Sequence, residues 1–421
     1  MKSTAQGLSP LVACSMCMLL LGCFHMRTAP MGSTAGRRAP AKYHVLETES
    51  PAAVGSAEPN LVAGDDGRLY LSWIETKSKN EHTLRFSVWT GNGWSAAKTI
   101  AQGKYWFVNW ADFPSLAVLK NGTLAAHWLA RSGPGTYSYD VRVSISRDGG
   151  GTWSAPVTPH RDGVQTEHGF VSIVPLSSSR FGLFWLDGRE MSGEHGHGAG
   201  DMMLRFTTLE ADGQLGEERL VDGRVCECCQ TSAVKTDSGD VLVVYRDRSE
   251  TEVRDIGIAR LSGDRFSKPA ILHPDNWKIP GCPVNGPAIA TRGRIVAVAW
   301  YTMAADGAGH VRLAVSRDGG RSFETPISVD DGQPLGRVDT LILADGSVLV
   351  CWLENVEDES EIRVRHVREN GTIEKSISAA PTRRSRASGF PHVASVGNQV
   401  ILAWTDAEDP PRVRTALLEQ N

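Results

Sequence analysis

The chain has 421 residues, of which 41% are hydrophobic, so it is long enough to bury either one large β architecture or two ordinary domains. Its formal net charge of −4 at pH 7 argues against nucleic acid as a partner, because nucleic-acid-binding domains usually present a basic face. Beyond the N-terminal segment, no stretch approaches the roughly 20 consecutive apolar residues that a membrane-spanning helix needs.

The N-terminal segment has the features of an export signal. Lys2 precedes an apolar run from Leu11 to Leu21, and a glycine stands directly before Cys23. The ending Leu-Leu-Gly-Cys resembles a bacterial lipobox, which implies cleavage before Cys23 and a lipid on its thiol. A plain secretory signal that is cut further on, or a short membrane anchor, is the alternative.

The sequence divides into three predicted segments: a lipoprotein signal peptide at 1–22, a flexible tether at 23–41 and a single folded domain at 42–421. The tether is rich in Pro, Gly, Ser, Thr and Ala, a composition that does not bury enough apolar surface to fold. A lipid anchor holds a protein at a membrane without making it span. We therefore expect a location in the bacterial cell envelope, at the outer membrane or the periplasmic face.

One phrase recurs along the predicted domain: a turn, a short apolar strand, a Gly-containing turn, and a second strand that ends in an aromatic residue. Seven copies end at Trp73, Trp128, Trp185, Tyr245, Trp300, Trp352 and Trp404. Their spacing of roughly 50 to 60 residues is typical of a four-stranded propeller blade. The sequence predicts an all-β propeller with seven four-stranded blades, and six blades with one irregular repeat is the alternative.

The last repeat leaves room for only three strands, of which the third is Val413 to Leu418. The segment Tyr43 to Glu47 precedes the first repeat and has no blade of its own. Pairing it beside the last strand would close the ring and leave no exposed sheet edge. We therefore predict that the N-terminal strand completes the seventh blade.

Two predicted turns share the pattern S-x-D-x-G-x-[ST]-[WF], at residues 146–153 and 316–323. In this pattern the Asp carboxylate accepts backbone N–H groups of the loop, and the glycines take positive φ. These turns resemble the Asp boxes of the BNR-repeat propellers, the superfamily that contains the sialidases, and the resemblance covers the chain after about residue 42. Asp boxes lie on outer hairpins in that family, so Asp148 and Asp318 are expected to be structural.

The resemblance implies a ligand site at one mouth of the propeller channel. Sialidases use a Tyr nucleophile, a carboxylate that activates it, and an Asp that handles the proton. Tyr301 with Glu227 fits the first two roles, and Asp187 or Asp112 fits the third. The Arg-Ile-Pro-like motif of the family is absent. Whether the protein is an enzyme therefore stays open; if it is one, a sialidase-like glycoside hydrolase is expected.

Arginine is the group that such a site needs to hold a sugar carboxylate by charge-assisted, partly bidentate bonds. The candidates are Arg246 and Arg337, which flank predicted inner strands, and Arg254, which begins the strand that follows Arg246. His168 is a further candidate ligand-binding residue. The alternative is a structural ion-pair network in the fourth blade. The expected partner is a glycan or another anionic small ligand, and the sequence does not indicate the oligomeric state.

Four cysteines stand where two consecutive predicted blades begin: Cys226, Cys228, Cys229 and Cys282. In an oxidising envelope this grouping favours disulfides, for instance one joining Cys282 to the C-x-C-C segment. The alternatives are a thiolate site for Cu(I) or Zn, with His168 as an extra ligand, and redox-active thiols. All of them require one local cluster, and no other cofactor is expected.

The leading hypothesis is a cell-envelope, sialidase-like propeller that binds a glycan or another anionic ligand at the channel mouth, with hydrolysis left open. A non-catalytic binding or assembly lipoprotein, and a metal- or redox-handling propeller, are the alternatives. A Tyr–carboxylate pair within hydrogen-bond reach at the mouth would favour hydrolysis.

Overall fold

The computed structural model describes residues 38–191, 200–303 and 307–421. The predicted signal peptide, Cys23 and nearly all of the predicted tether lie outside these residues. The folded unit extends from Arg38 to Asn421. Among the described residues, no helical segment has the length and apolar character needed to cross a membrane.

The described strands form seven antiparallel sheets, which are the blades of a propeller. Blades one to three contain β2 (Ser56–Ala63), β3 (Leu69–Ser78), β4 (Glu81–Val88) and β5 (Lys98–Lys104); β6 (Leu116–Val118), β7 (Leu124–Arg131) and β8 (Tyr139–Ser146); and β9 (His168–Pro175), β10 (Arg180–Asp187), β11 (Met202–Glu210) and β12 (Arg219–Val225). The fourth strand of blade two is reduced to a bridge, in which Val143 and Val157 exchange backbone hydrogen bonds of 2.9 and 2.8 Å.

Blades four to seven follow the same plan. They contain β13 (Ser232–Lys235), β14 (Val241–Arg246), β15 (Ile256–Ser262), β16 (Arg265–Phe266) and β17 (Ala270–His273); β18 (Ala288–Arg292), β19 (Ile295–Met303), β20 (Gly309–Ser316) and β21 (Ile327–Ser328); β22 (Pro334–Ile342), β23 (Val348–Val356), β24 (Glu359–Val367) and β25 (Ile377–Thr382); and β26 (His392–Val396), β27 (Gln399–Asp406), β28 (Arg412–Gln420) and β1 (Tyr43–Thr48). A short 3-10 helix at Arg386–Ser388 precedes β26. The prediction of seven blades is confirmed.

The ring closes as the strand deficit of the last repeat predicts. β1 pairs antiparallel with β28, from Tyr43 opposite Gln420 to Thr48 opposite Thr415. The backbone N–H of Asn421 also donates to the carbonyl of Lys42 at 2.8 Å. Blade seven therefore takes its outermost strand from the N-terminal side of the domain.

The core is divided among the seven junctions between neighbouring blades. Phe184 of β10 and Val243 of β14 belong to one buried cluster, which joins blades three and four. Leu71 of β3 and Ala403 of β27 belong to another, which joins blade one to blade seven. Because each blade packs on both of its neighbours, apolar burial stabilises the ring as a whole.

The seven recurring aromatic residues serve this packing. All are buried, with at most 6% of the side chain exposed: Trp73, Trp128, Trp185, Tyr245, Trp300, Trp352 and Trp404. In three repeats the indole N–H donates to a carboxylate two residues later, as Trp185 does to Asp187 at 2.7 Å. A buried indole N–H needs such a partner, so the acidic residue that follows the aromatic has a structural task.

The two Asp-containing turns lie between the third and fourth strands of blades two and five. Asp148 Oδ1 accepts the backbone N–H groups of Gly151 and Thr152, each at 2.9 Å, and Asp318 Oδ1 accepts the equivalent pair in its own turn. Hydrogen bonds from this loop hold the pKa of Asp148 well below its usual range. Both carboxylates therefore stabilise the turns in which they lie.

Candidate functional site

A cavity of about 480 Å³ opens on the face of the propeller where the inner strands begin. Segments that lead into blades two, three, four, five and seven line it. Its walls include Phe107, Trp110, Asp112, Tyr139, Glu167, Glu227, Cys228, Arg248, Arg254, Cys282 and Arg386. The central channel, of about 740 Å³, is lined separately by the inner strands. The cavity thus lies at one mouth of the channel, where the sequence predicts a ligand site.

A tyrosine joins two carboxyl groups in the cavity wall. Tyr139 Oη lies 3.0 Å from Asp112 Oδ2 and 2.9 Å from Glu167 Oε1. Asp112 precedes β6, Tyr139 begins β8 and Glu167 directly precedes β9, so the trio spans the junction of blades two and three. The phenol has a single proton, so both contacts can be hydrogen bonds only if one carboxyl group also carries a proton.

Burial makes Asp112 the carboxyl group that holds this proton. Its side chain is almost fully buried, and burial raises the pKa of Asp112 to about 8, against the hydrogen bonds from Phe170 and Tyr139. At neutral pH the Asp112 hydroxyl therefore donates to Tyr139 Oη, and Tyr139 donates to Glu167. Burial and the neighbouring Glu167 and Asp112 hold the pKa of Tyr139 well above its usual range. The arrangement is a short proton relay with a neutral acid at one end.

The local backbone is shaped to hold the relay. Phe170 takes a left-handed conformation, with φ of 53°, and its backbone N–H donates to Asp112 Oδ1 at 2.7 Å. The register of β9 against β10 shifts nearby, an irregularity of the type common beside active sites. A Cβ on Gly169 would overlap Asp112 Oδ2, and Phe107 stacks on the Tyr139 ring at 4.0 Å between centroids. The strained backbone at Phe170, the absence of a side chain at Gly169 and the stacked Phe107 ring together hold the Asp112–Tyr139–Glu167 trio in place.

The part of the cavity wall that comes from blade four carries two arginines and two glutamates that neutralise one another. Arg254 donates to Glu227 at 2.7 Å and to Glu252 at 2.8 Å, and Arg248 pairs with the same two carboxylates. Hydrogen bonds among these four groups occupy the guanidinium edges that would otherwise bind an anionic ligand. Glu227 and Arg254 therefore lie at the cavity as the sequence predicts, but each already holds a partner within the protein.

The remaining positive charge at the cavity comes from Arg386. Arg386 is exposed, lines the cavity, and belongs to the short helix before β26. Arg337 lies against the Trp110 ring at 4.5 Å from its centroid and donates to the carbonyls of Ser385 and Gly389. Burial and the charge of Arg386 lower the pKa of Arg337 to about 10. Arg337 supports the segment that presents Arg386.

Arg246 and Tyr301, both predicted site residues, lie away from the cavity lining. Arg246 is 1% exposed, and its guanidinium donates to the backbone carbonyls of Asn285, Arg254 and Tyr301. The ring of Tyr301 packs edge-on against Trp277, with centroids 5.5 Å apart. The structure therefore does not bring Tyr301 together with Glu227 at the cavity.

Asp187 and His168 belong to a separate buried cluster between blades two and three. His168 Nε2 lies 3.2 Å from Asp162 Oδ2, and its ring stacks on His160 at 3.7 Å between centroids. Arg189 pairs with Asp187 at 2.7 Å. Burial, with the neighbouring His168, lowers the pKa of His160 to about 3, so this imidazole is neutral at physiological pH.

The four clustered cysteines do lie in one region, but the structure does not support the predicted disulfides. All five described cysteines are free thiols. Cys226 Sγ is 3.5 Å from Cys229 Sγ and 3.9 Å from Cys228 Sγ, whereas a disulfide bond is about 2.05 Å long. The three sulfurs are therefore close neighbours and are not joined by a disulfide bond. Cys282 lines the cavity beside Cys228.

Comparison with solved structures identifies the same architecture elsewhere. The fold is similar to that of a protein of unknown function from Dyadobacter fermentans. That match has a TM-score of 0.52 at 14% identity and covers 91% of this chain and 99% of the other. The NanB sialidase of Streptococcus pneumoniae, in its K499G form, matches at a TM-score of 0.44 and 12% identity, covering 90% and 70% of the two chains. An ulvan lyase matches at 0.45 and 12% identity, covering 78% and 80%.

At these identities the likeness concerns the fold alone. No protein-family model matches the chain. No curated protein matches it either. The chemistry has to be argued from the residues around the cavity.

Sequence reasoning missed Tyr139. The repeat pattern points to residues before first strands and after second strands, whereas Tyr139 begins a third strand. A parallel bridge between Tyr139 and Glu167 brings the two residues together across the junction of two blades. The signal available in the sequence was Glu167 itself, which stands at a blade entrance as Asp112 does.

Proposed function

We propose that this protein is a glycan-acting enzyme that cleaves a glycosidic bond in the cavity at the channel mouth. The observation that carries the proposal is the contact of Tyr139 Oη with both Asp112 and Glu167. A buried neutral acid is suited to protonating a leaving oxygen, and a carboxylate beside a phenol is suited to accepting its proton. The resemblance to sialidase-like propellers supports the same assignment.

In the proposed reaction, Asp112 donates its proton to the glycosidic oxygen. Tyr139 Oη attacks the anomeric carbon and passes its proton to Glu167, and water then hydrolyses the glycosyl–tyrosine intermediate. Phe107 and Trp110 give the cavity an aromatic lining. Arg386 is the cation placed to bind an acidic substituent, which favours an anionic glycan as substrate.

The test is cleavage of a panel of aryl glycosides that includes neutral sugars, a uronic acid and N-acetylneuraminic acid. Wild-type protein should release the aryl group from at least one acidic substrate. Tyr139→Phe and Glu167→Gln should each lower kcat by about 100-fold or more, the usual contribution of positioned proton transfer. Tyr70→Phe is the matched control, since Tyr70 also donates to a carboxylate, Asp66 at 2.6 Å, but at the turn between β2 and β3 and outside the cavity lining.

A binding function without cleavage is the second candidate. It is favoured by the burial of the relay, since Tyr139 is only 1% exposed and Asp112 4%. Calorimetric titration with acidic oligosaccharides distinguishes the two functions. Binding without release of product would remove the hydrolase proposal, and the absence of both would remove the glycan proposal altogether.

We also propose that the propeller works in the bacterial cell envelope, held by a lipid on Cys23. The support is the lipobox-like ending and the tether-like composition of the sequence.

A further inference from the structure

A group of cysteines adjoins the cavity and has no part in the proposed glycosidase reaction. Cys226 and Cys229 flank a turn at residues 227–228, between β12 and β13. Because the chain turns here, the side chains are not sent to alternate faces as they would be along a strand. The Sγ atoms of Cys226, Cys228 and Cys229 all lie within 4.8 Å of one another, and all three side chains are buried.

The spacing of the sulfurs fits a shared metal ion. Sulfurs placed 2.3 Å from a zinc ion at the corners of a tetrahedron are about 3.8 Å apart. The Sγ atom of Cys226 is 3.5 Å from that of Cys229 and 3.9 Å from that of Cys228. Two of the three sulfur–sulfur distances are therefore close to those around a tetrahedral zinc ion.

Backbone and side-chain N–H groups donate to two of the three sulfurs. Arg254 Nη1 donates to Cys226 Sγ at 3.2 Å, and the backbone N–H of Asn285 donates to Cys229 Sγ at 3.4 Å. Such N–H donors and a nearby cation stabilise the negative charge that metal ligands carry.

The cluster has one side towards the cavity. Cys228 and Cys282 both line the cavity, and Cys282 is exposed. The Cys282 thiol lies within hydrogen-bonding reach of the Cys228 thiol. A cation can enter from the cavity, and Cys282 is placed to supply a fourth ligand.

We propose that Cys226, Cys228 and Cys229 bind one soft, thiolate-preferring cation of the Zn²⁺ or Cu⁺ type, with Cys282 completing the coordination from the cavity side. Binding replaces thiol protons, which pass to solvent, and involves no oxidation or reduction. The cation fastens the turn that carries Glu227 to the cavity wall. This site is separate from the Asp112–Tyr139–Glu167 relay and does not depend on the proposed reaction.

The test is metal binding by the full chain, reduced and stripped of metal. After Zn²⁺ is added back, native mass spectrometry should show one Zn²⁺ per chain. Titration of the metal-free protein with Cd²⁺ should produce thiolate-to-metal charge-transfer absorption that saturates at one equivalent. Cys228→Ser should weaken Cd²⁺ binding by at least the roughly 10- to 100-fold caused by losing a supporting partner of a metal site. Cys351→Ser is the matched control, because Cys351 is a buried, free thiol in β23, and it should bind as the wild type does.

Alkylation of the wild-type protein tests the site without a cysteine variant, so the result does not depend on whether such a variant folds. Zn²⁺ should protect Cys226, Cys228 and Cys229 from alkylation, and equal labelling with and without Zn²⁺ would overturn the proposal. Displacement of Zn²⁺ by Cu⁺ at one equivalent would identify copper as the preferred member of the class, and retention of Zn²⁺ would identify zinc. Unreduced protein that is lighter by two hydrogens and binds no metal would also overturn it.

Discussion

Replacing Asp112 with Asn should stabilise the protein while removing the proposed activity. Asn has the shape of a protonated Asp: its amide can donate to Tyr139 Oη as the carboxyl hydroxyl does, and its oxygen can accept the Phe170 N–H. It cannot supply a proton, so we expect kcat to fall by about 100-fold or more. The stabilisation arises because the native site has to keep an ionisable group neutral.

The magnitude follows from the pKa of Asp112, which burial raises to about 8. An unfolded Asp ionises near pH 3.9, so between about pH 4 and pH 8 the folded state holds a proton that the unfolded state has lost. The free energy of unfolding of the wild type therefore falls by about 1.4 kcal/mol per pH unit through this window. At pH 7 the variant should gain up to about 4 kcal/mol over the wild type.

The assay is urea denaturation of both proteins across this pH window, with glycoside cleavage measured in parallel. Asp148→Asn is the matched control with the opposite sign, since hydrogen bonds hold the pKa of Asp148 low and its ionised form stabilises the turn. That control should be less stable than the wild type at neutral pH. The reasoning would be refuted if Asp112→Asn were the less stable protein at pH 7, or if its advantage did not change with pH.

Two further predictions concern the relay and the anchor. Gly169→Ala should destabilise the protein by about 1 to 3 kcal/mol and lower activity, because its Cβ would overlap Asp112 Oδ2 and lie 2.8 Å from Tyr139 Cε2. Gly281→Ala, in the same cavity but with nothing within 4 Å of its Cβ, should change neither thermal stability nor kcat. Cys23→Ser should move the protein from the membrane fraction to the soluble fraction of the host envelope; a variant that stays with membranes would contradict lipid anchoring at that residue.

The propeller architecture was predictable because the sequence motif of one blade recurs along the chain. Each blade has a buried aromatic residue, such as Trp185 or Trp352, near the end of its second strand. Because every blade needs this packing contact, the aromatic residue recurs at a regular spacing in the sequence. The missing strand of the last repeat then left one place for the segment at Tyr43. Periodicity therefore determined blade number and ring closure without any knowledge of contacts.

The site was predictable only in part, because its chemistry depends on pairings between blades. Asp112 and Glu227 lie at the cavity because the entrances of the inner strands meet there, as the repeat pattern predicts, and Arg254 reaches it from the loop before β15. Sequence does not reveal that the donors of Arg246 are filled by backbone carbonyls of neighbouring loops. Nor does it reveal that Tyr139, from a third strand, reaches back between two carboxyl groups.

The seam between β1 and β28 also has a consequence for how the molecule folds. His44 and Asn421 meet there across a sequence separation of 377 residues, so this pairing has a high entropic cost until the intervening blades bring the ends together. The seam is therefore expected to form late. Chains that have completed the other blades but lack β1 would expose β28 as an unpaired edge, the kind of surface through which partly folded β proteins associate. Such chains would be the ones that depend most on assistance from chaperones.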